Sequence, residues 1–319
     1  MVQMVIGRTA RAQLRYSARR PRSTDYMYTA AADDAGRFLA AAGRTLRPGA
    51  ALDQHAEREW QGAFMFAQLA DTQFGMFRRD ESWAEEQALA KAAVRHINRL
   101  KPKFVVVCGD LVNAMPNGPA PKPEQQESQV RDFKHVMSAI DESIQLVCVC
   151  GNHDVGDRPN AATIDLYESR FGDTYFAFWA GGCRCIVLNS SLHVSQEERT
   201  WDMSGDNAGR FGDQSPASVL RDKAEAQARA IDQDEWLEAE LASGATSAAQ
   251  HSIVFTHIPP FIDNADEPKG YFNYDPSVRE PLLRKLRQAG VSKWFCGASA
   301  TQYTRFYIDL TNPGRILFG

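Results

Sequence analysis

"LVCVCGNHDVGD", residues 146–157, changes character at a single position. Apolar residues run to Cys150; Gly151 breaks the run, and Asn152, His153 and Asp154 follow at once. A short apolar run with valine among its members, ended by glycine, reads as a strand buried on both faces. The three polar side chains then sit just past its carboxyl end, where each can bind a metal, share a proton or hold a phosphate.

The same break recurs along the chain. "AFMFAQLA" (63–70) is followed by Asp71 and Gln73, "FVVVC" (104–108) by Asp110 and Asn113, and "HSIVFT" (251–256) by His257. Between the first three strands, "SWAEEQALAKAAVRHINRL" (82–100) and "QESQVRDFKHVMSAIDES" (126–143) carry helical periodicity. Ser82 with Glu85 three residues on predicts a capping box at the first helix. A strand-helix-strand-helix-strand opening favours parallel pairing, and ligands of open α/β sheets gather at the carboxyl ends of strands. One such strand end is usually a hydrogen-bonded structural feature; four in succession are expected to converge on a site.

The second half reads differently. "YFAFWAGGCRCIVLNSS" (175–191) predicts two strands joined by a Gly181-Gly182 turn. The polar stretch from His193 to Arg229 is too long for an ordinary connection, and is either disordered or an insertion lying over the site. A helix over 232–243, the strand at 251–256, a helix over 277–290 and a strand at 292–297 complete the series, with no internal repeat. Parallel-type units followed by hairpin-type strands predict an α/β architecture of two packed mixed sheets with helices outside, a four-layer αββα sandwich.

Composition limits the function classes. The 319 residues are 44% hydrophobic and 24% charged, as in a globular enzyme, and the net charge of −4 supplies no overall basic face for nucleic acid. No apolar run reaches the roughly 18 to 20 residues that span a bilayer. The expectation is a monomer with neither nucleic-acid nor membrane partner. Five of the six cysteines fall in or at the end of strand-like runs, which predicts reduced core thiols; zinc ligation by the Cys-x-Cys pairs is the alternative. Residues 1–24 hold six arginines and no acidic residue before Asp25. This composition fits either a disordered basic tail of a cytoplasmic protein or a mitochondrial presequence.

The donor types narrow the chemistry further. Carboxylate, amide oxygen and imidazole suit Mn²⁺, Fe²⁺, Zn²⁺ or Mg²⁺, and two such ions sharing a carboxylate clamp both oxygens of a phosphoryl transfer. The ordered set D-T-Q, G-D-L-V-N, G-N-H-D and H-I-P resembles the calcineurin-like metallophosphoesterases, whose pattern is D-x-H, G-D-x-x-D/N, G-N-H-D/E, a later His and a closing G-H-x-H. The resemblance covers roughly residues 43–297 and is nearest to serine/threonine phosphatase relatives.

The resemblance implies a phosphoric monoester hydrolase with two divalent cations and an attacking metal-bound hydroxide, acting on a phosphorylated protein or small phosphoester. It implies that Asp71 and Gln73 hold the first ion, Asp110 bridges both, and Asn152 and His257 hold the second. Gln73 stands where many relatives have histidine, which leans the site toward Mn²⁺ or Mg²⁺. His153 then faces the phosphate as general acid or charge stabiliser, with Asp154 and Asn113 completing the catalytic group; Asn113 replaces an imidazole-orienting aspartate. Gly151 is expected to let the backbone turn sharply into the site. The domain is expected over 56–297, after an Arg-rich unstructured segment 1–55 and before a divergent tail, 298–319, that leaves the second sheet without its last strands. One departure bears on activity: Gly297 is followed by Ala298, Ser299 and Ala300 where the closing histidines belong, and no histidine follows His257. Each ion loses a ligand, so the alternative is an impaired pseudophosphatase that binds a phosphorylated partner.

Overall fold

The computed structural model describes residues 35–39, 41–47, 50–117, 121–197, 215–270, 272–297, 307–311 and 316–317. The Arg-rich stretch 1–24 and the positions of Ala298 and Ala300 lie outside the described residues.

From Ala35 the chain is already part of the fold. α1 (Ala35–Phe38), a short ladder between β1 (Ala41–Ala42) and β2 (Thr45–Leu46), and α2 (Gln54–Arg58) come first. The expectation of an unstructured segment through residue 55 is corrected here. Its anchors are isolated apolar side chains, too sparse to give a periodic signal: Phe38 meets Phe171 edge-on with centroids 6.5 Å apart, and Leu46 and Leu52 are buried.

β3 (Phe66–Leu69), β4 (Phe104–Cys108) and β5 (Gln145–Val149) form an all-parallel sheet in that order. α3 (Ala84–Leu100) and α4 (Pro123–Met137) cross over between them. The capping box does not form. Trp83 is the N-cap of α3 with no side-chain hydrogen bond, and Glu85 is drawn instead to Arg78 at 2.6 Å.

After α5 (Asn152–Val155) and α6 (Ala161–Phe171), β6 (Phe176–Ala180) and β7 (Cys183–Val187) form the expected hairpin through Gly181-Gly182. α7 (Ser190–Ser195) leads on to α8 (Pro216–Ala242). Residues 216–229, read as loop, are therefore the first half of a long helix. Its buried positions Val219, Asp222, Ala226, Ala230, Gln233 and Leu237 recur at three or four residues, but polar and small members hide the stripe from a hydrophobic pattern.

α9 (Ala245–Ala248), β8 (His251–Thr256), α10 (Pro276–Gln288), β9 (Lys293–Cys296), β10 (Tyr307–Asp309) and β11 (Ile316–Leu317) complete a mixed sheet of order β11-β10-β9-β8-β7-β6. The 298–319 tail thus adds two short edge strands, which corrects the expectation that the sheet lacks its last ones. All six cysteines are buried and unpaired, as read. No described helix is long and apolar enough to cross a membrane.

Strand alternation builds the layers. Ala67, Leu69, Val105 and Val107 face α3 and α4, whereas Phe66, Phe104, Val106 and Cys108 point across to Phe178, Cys185, Phe255 and Phe295 of the second sheet. That sheet's other face, with Ile186, Val254 and Trp294, is covered by Leu237 of α8 and by Leu282 and Leu286 of α10. The result is the four-layer αββα sandwich. Its centre is Phe104, fully buried, stacked on Phe66 at 4.9 Å and edge-on to Phe178 at 5.5 Å. Phe104→Ala should cost about 3–5 kcal/mol, the range for truncating a core aromatic. Urea unfolding should show a lower midpoint with an unchanged slope; a loss below about 1 kcal/mol would place the sandwich's centre elsewhere.

Candidate metal centre

The carboxyl ends of β3, β4 and β5 in one sheet meet those of β8 and β9 in the other, and every strand-end residue singled out above follows one of them. The loops after β3 and β4 are laced together beyond the ladder. Asp71 N–H donates to Gly109 O at 3.1 Å, Gln73 N–H to Asp110 O at 2.9 Å, and Asn113 N–H to Phe74 O at 3.1 Å. This lacing holds Asp71, Gln73 and Asp110 at φ values of 51°, 39° and 49°, left-handed conformations that cost a non-glycine residue about 1–3 kcal/mol each.

Asp71, Asp110 and His257 are brought together, with one ligand atom from each lying within 4.8 Å of the others. Bonds of about 2.0–2.6 Å to a shared cation would span such a group. Asp110 lies at its centre. Its Oδ1 accepts the His153 backbone N–H at 2.9 Å, and its Oδ2 lies 3.3 Å from His257 Nε2 and 3.9 Å from His153 Nε2.

Electrostatics shows what the group lacks. Burial opposes the Asp110 charge, but His257 and His153 outweigh it and hold its pKa down to about 2. Burial pushes Asp71 up to about 6, with the Asp110 charge adding to the shift and His257 opposing it. Burial disfavours a charged His257, yet the carboxylates of Asp110 and Asp71 raise its pKa to about 10. Two acids and one imidazole therefore draw in positive charge.

The residues fit a divalent cation. His257 is fully buried, its Nδ1 lies 2.9 Å from Cys108 O, and a carbonyl can only accept, so Nδ1 carries the proton of the neutral ring. Nε2 is then the nitrogen that a cation could take, and apart from the 3.3 Å contact with Asp110 Oδ2 it has no hydrogen-bond partner among the described residues although it is buried. A donor locked by a carbonyl behind it is the usual arrangement of a metal-bound histidine. The nearby thiols do not compete: burial raises Cys108 well above its ordinary range and Cys296 to about 12.

The other expected residues are placed as follows. Gln73 is buried and joined to Asp110 through its backbone. Asn152 lies between Gly151 and His153, both of which abut Asp110, and its amide nitrogen donates to Asp157 Oδ1 at 2.8 Å. His153 donates from Nδ1 to Asn113 O at 2.6 Å, which turns Nε2 toward Asp110, whose charge helps raise the imidazole pKa against the opposing effect of burial. Asp154 does not face the cluster. Its carboxylate takes the backbone N–H groups of Gly151 at 2.8 Å and Leu111 at 3.1 Å, tying the β4 and β5 loops, and burial with the neighbouring Asp110 raises its pKa to about 7. The Asn113 side chain also turns away, donating to Asp80 at 2.7 Å.

Gly151 serves a different purpose from the one expected. Its φ of −108° and ψ of 178° are open to any residue, but an added Cβ would lie 2.2 Å from Asp110 Oδ1. Space, not turning, excludes a side chain. Gly297, at the end of β9, is similarly close: a Cβ there would meet Cys108 O at 2.2 Å and His257 Nδ1 at 2.8 Å. Sequence reading missed Cys108 O, which orients His257, and Asp80 and Gln129, which hold the Asn113 loop. None of these carries a motif, and a backbone carbonyl leaves no mark in a sequence at all.

The calcineurin-like phosphoesterase family profile matches residues 64–297. The chain is 38% identical over 271 residues to the Mus musculus protein "Serine/threonine-protein phosphatase CPPED1", covering 82% of this chain and 76% of that one. The Homo sapiens protein of the same name is 38% identical over 279 residues, covering 84% and 78%. Among solved structures, a dimetal phosphatase from Danio rerio aligns with a TM-score of 0.46 at 17% identity, over 74% of this chain and 81% of that one. Profile, relatives and converging strand ends agree, and the chain belongs to the calcineurin-like phosphoesterase family of metallophosphoesterases.

Proposed function

We propose that this metallophosphoesterase hydrolyses phosphoserine and phosphothreonine esters of proteins with two divalent cations. The observation that carries the reading is the convergence of Asp71, half-buried, with the buried Asp110 and His257, His257 Nε2 facing Asp110 at 3.3 Å and His153 beside them. The phosphatase names of the relatives favour a phosphoprotein substrate over a small ester.

Asp71 and Gln73 would hold one cation, Asn152 and His257 the other, and Asp110 would bridge them. When bound, the ions supply the Lewis acidity that activates water and offsets phosphoryl charge. This chain's own residues do the rest. The Asp110 carboxylate anchors the His153 backbone, Asn113 O fixes the tautomer of its ring, and Nε2, the nitrogen facing the site, hands a proton to the departing seryl or threonyl oxygen. Gln73, an amide donor, favours Mn²⁺ or Mg²⁺ over Zn²⁺. A second reading, an impaired enzyme that binds more than it turns over, is favoured by Ala298 and Ala300, which offer no imidazole after Gly297.

Cation and proton compete for His257 Nε2, whose pKa of about 10 keeps it protonated at neutral pH. Mn²⁺ affinity should therefore rise with pH, by about tenfold per unit for one displaced proton. Equilibrium dialysis between about pH 6 and about pH 8 measures it, and a flat profile counts against His257 as a ligand. His153→Ala should lower turnover of a phosphoserine peptide by about 10²-fold or more with metal content intact, because the ring is assigned to the leaving group and not to the ions. Metal loss in that variant would reassign it. The double change Ala298→His with Ala300→His should raise bound metal, read by elemental analysis, toward two ions per chain, since Gly297 already ends its strand beside His257. No gain in metal would count against the impaired-site reading.

A further inference from the structure

Resting on the phosphatase reading, we propose that Asp80 is a positioning residue for His153, acting through Asn113. Asp80 lies outside every motif of the family pattern given above. Its φ of 70° is left-handed, and its N–H donates to Gly75 O at 2.8 Å, closing the loop that follows Phe74. Oδ1 accepts from Asn113 Nδ2 at 2.7 Å and from Gln129 Nε2 at 2.9 Å, while Oδ2 accepts from Lys122 Nζ at 2.8 Å.

A carboxylate of this kind only accepts, so it dictates which way both amides point. Gln129, fully buried, must then turn Oε1 the other way, where it receives the backbone N–H groups of Asn113 at 3.2 Å and Ala114 at 2.9 Å. The Asn113 residue is thereby held at its side chain by Asp80 and at its N–H by Gln129 and Phe74 O. What remains directed by this clamp is its carbonyl, and that carbonyl accepts the Nδ1–H of His153 at 2.6 Å.

The usual device for orienting a catalytic imidazole is a carboxylate directly behind it. Here the carboxylate stands one residue further back, and a peptide carbonyl transmits its placement. Three donors, from Asn113, Gln129 and Lys122, converge on the one carboxylate of Asp80. Swing of the Asn113 peptide would move His153 Nε2 away from the leaving oxygen, and a misplacement of about 1 Å can cost about 10²-fold in rate.

The test uses the Mg²⁺-loaded full-length chain with Asp80→Ala and Asp80→Asn. Asparagine keeps an acceptor for Asn113 and Gln129; alanine does not. A misplaced proton donor matters most for a poor leaving group, so Asp80→Ala should lower kcat on a phosphoserine peptide by about tenfold or more. On 2,4-dinitrophenyl phosphate, whose phenolate leaves without a proton, the change should stay within about twofold, with KM and metal content unaltered. Asp80→Asn should recover the peptide rate to within about threefold of the parent. Should Asp80→Ala fold poorly, Asn113→Ala cuts the same link from its other end and must give the same split between substrates.

Independently of turnover, the Nδ1–H proton resonance of His153, assigned by its absence in His153→Ala, should vanish in Asp80→Ala and persist in Asp80→Asn. Equal loss on both esters, or a resonance that survives Asp80→Ala, overturns the proposal. If the parent chain hydrolyses neither ester but the resonance follows Asp80 as described, the phosphatase reading fails and the positioning role stands.

Discussion

The structure depends on one buried carboxylate. Asp110 is 4% exposed, and it is the atom group on which both sheets converge: β4 carries it, β5 delivers the His153 N–H to it, and β8 delivers the His257 ring. A charge so placed must be compensated, because an isolated carboxylate in an apolar interior is far too costly to remain ionised. The surroundings do this with two imidazoles and a backbone amide, and each of these has to arrive on its own strand end. The requirement explains why glycine precedes both Asp110 and Asn152: a Cβ at Gly109 would strike the His257 ring from the other sheet, and one at Gly151 would strike Asp110 on the neighbouring strand.

Local strain follows from the same constraint. Asp71, Gln73, Asp80 and Asp110 all have left-handed backbone, a conformation that single-residue preferences oppose. They are stabilised collectively, by hydrogen bonds between the β3 and β4 loops and by the parallel bridge from Phe74 to Val112. The aromatic stack beneath, from Phe66 through Phe104 to Phe178, keeps the two sheets at the separation that these contacts need. Packing in the sandwich and geometry at its rim are therefore one problem.

Much of this was legible because the signals were local. Buried parallel strands write themselves as apolar runs, and the chemistry sits where each run stops, so Asp71, Asp110 and His257 could be found from the breaks alone. The Gly181-Gly182 hairpin was equally plain. What escaped was relational. The first half of α8 buries Asp222 and Gln233 among small residues, so its stripe is not hydrophobic. Glu85 had a better partner in Arg78 than in the amide of a capping box. Asn113 was expected in the catalytic group as the replacement of an imidazole-orienting aspartate, but the atom that meets His153 is its carbonyl, which every residue possesses; its side chain answers to Asp80, and nothing in the spacing of the two announces the pairing.

The charge balance of the site also bears on why a phosphate ester is a suitable ligand there. Without a cation, a proton on His257 supplies the positive charge that Asp110 and Asp71 require, and the raised pKa of that ring measures how strongly it is wanted. Asp110, Asp71 and His257 would hold a divalent ion in place of that proton, and with His153, partly exposed at the rim, protonated, the charge would be positive in excess. An incoming phosphate dianion would meet that excess at the open side of the cluster, and its own charge would favour the protonated form of His153. On the proposed function, substrate binding and the arming of His153 as proton donor would be the same electrostatic event, and the neutral thiols of Cys108 and Cys296 nearby leave that balance undisturbed.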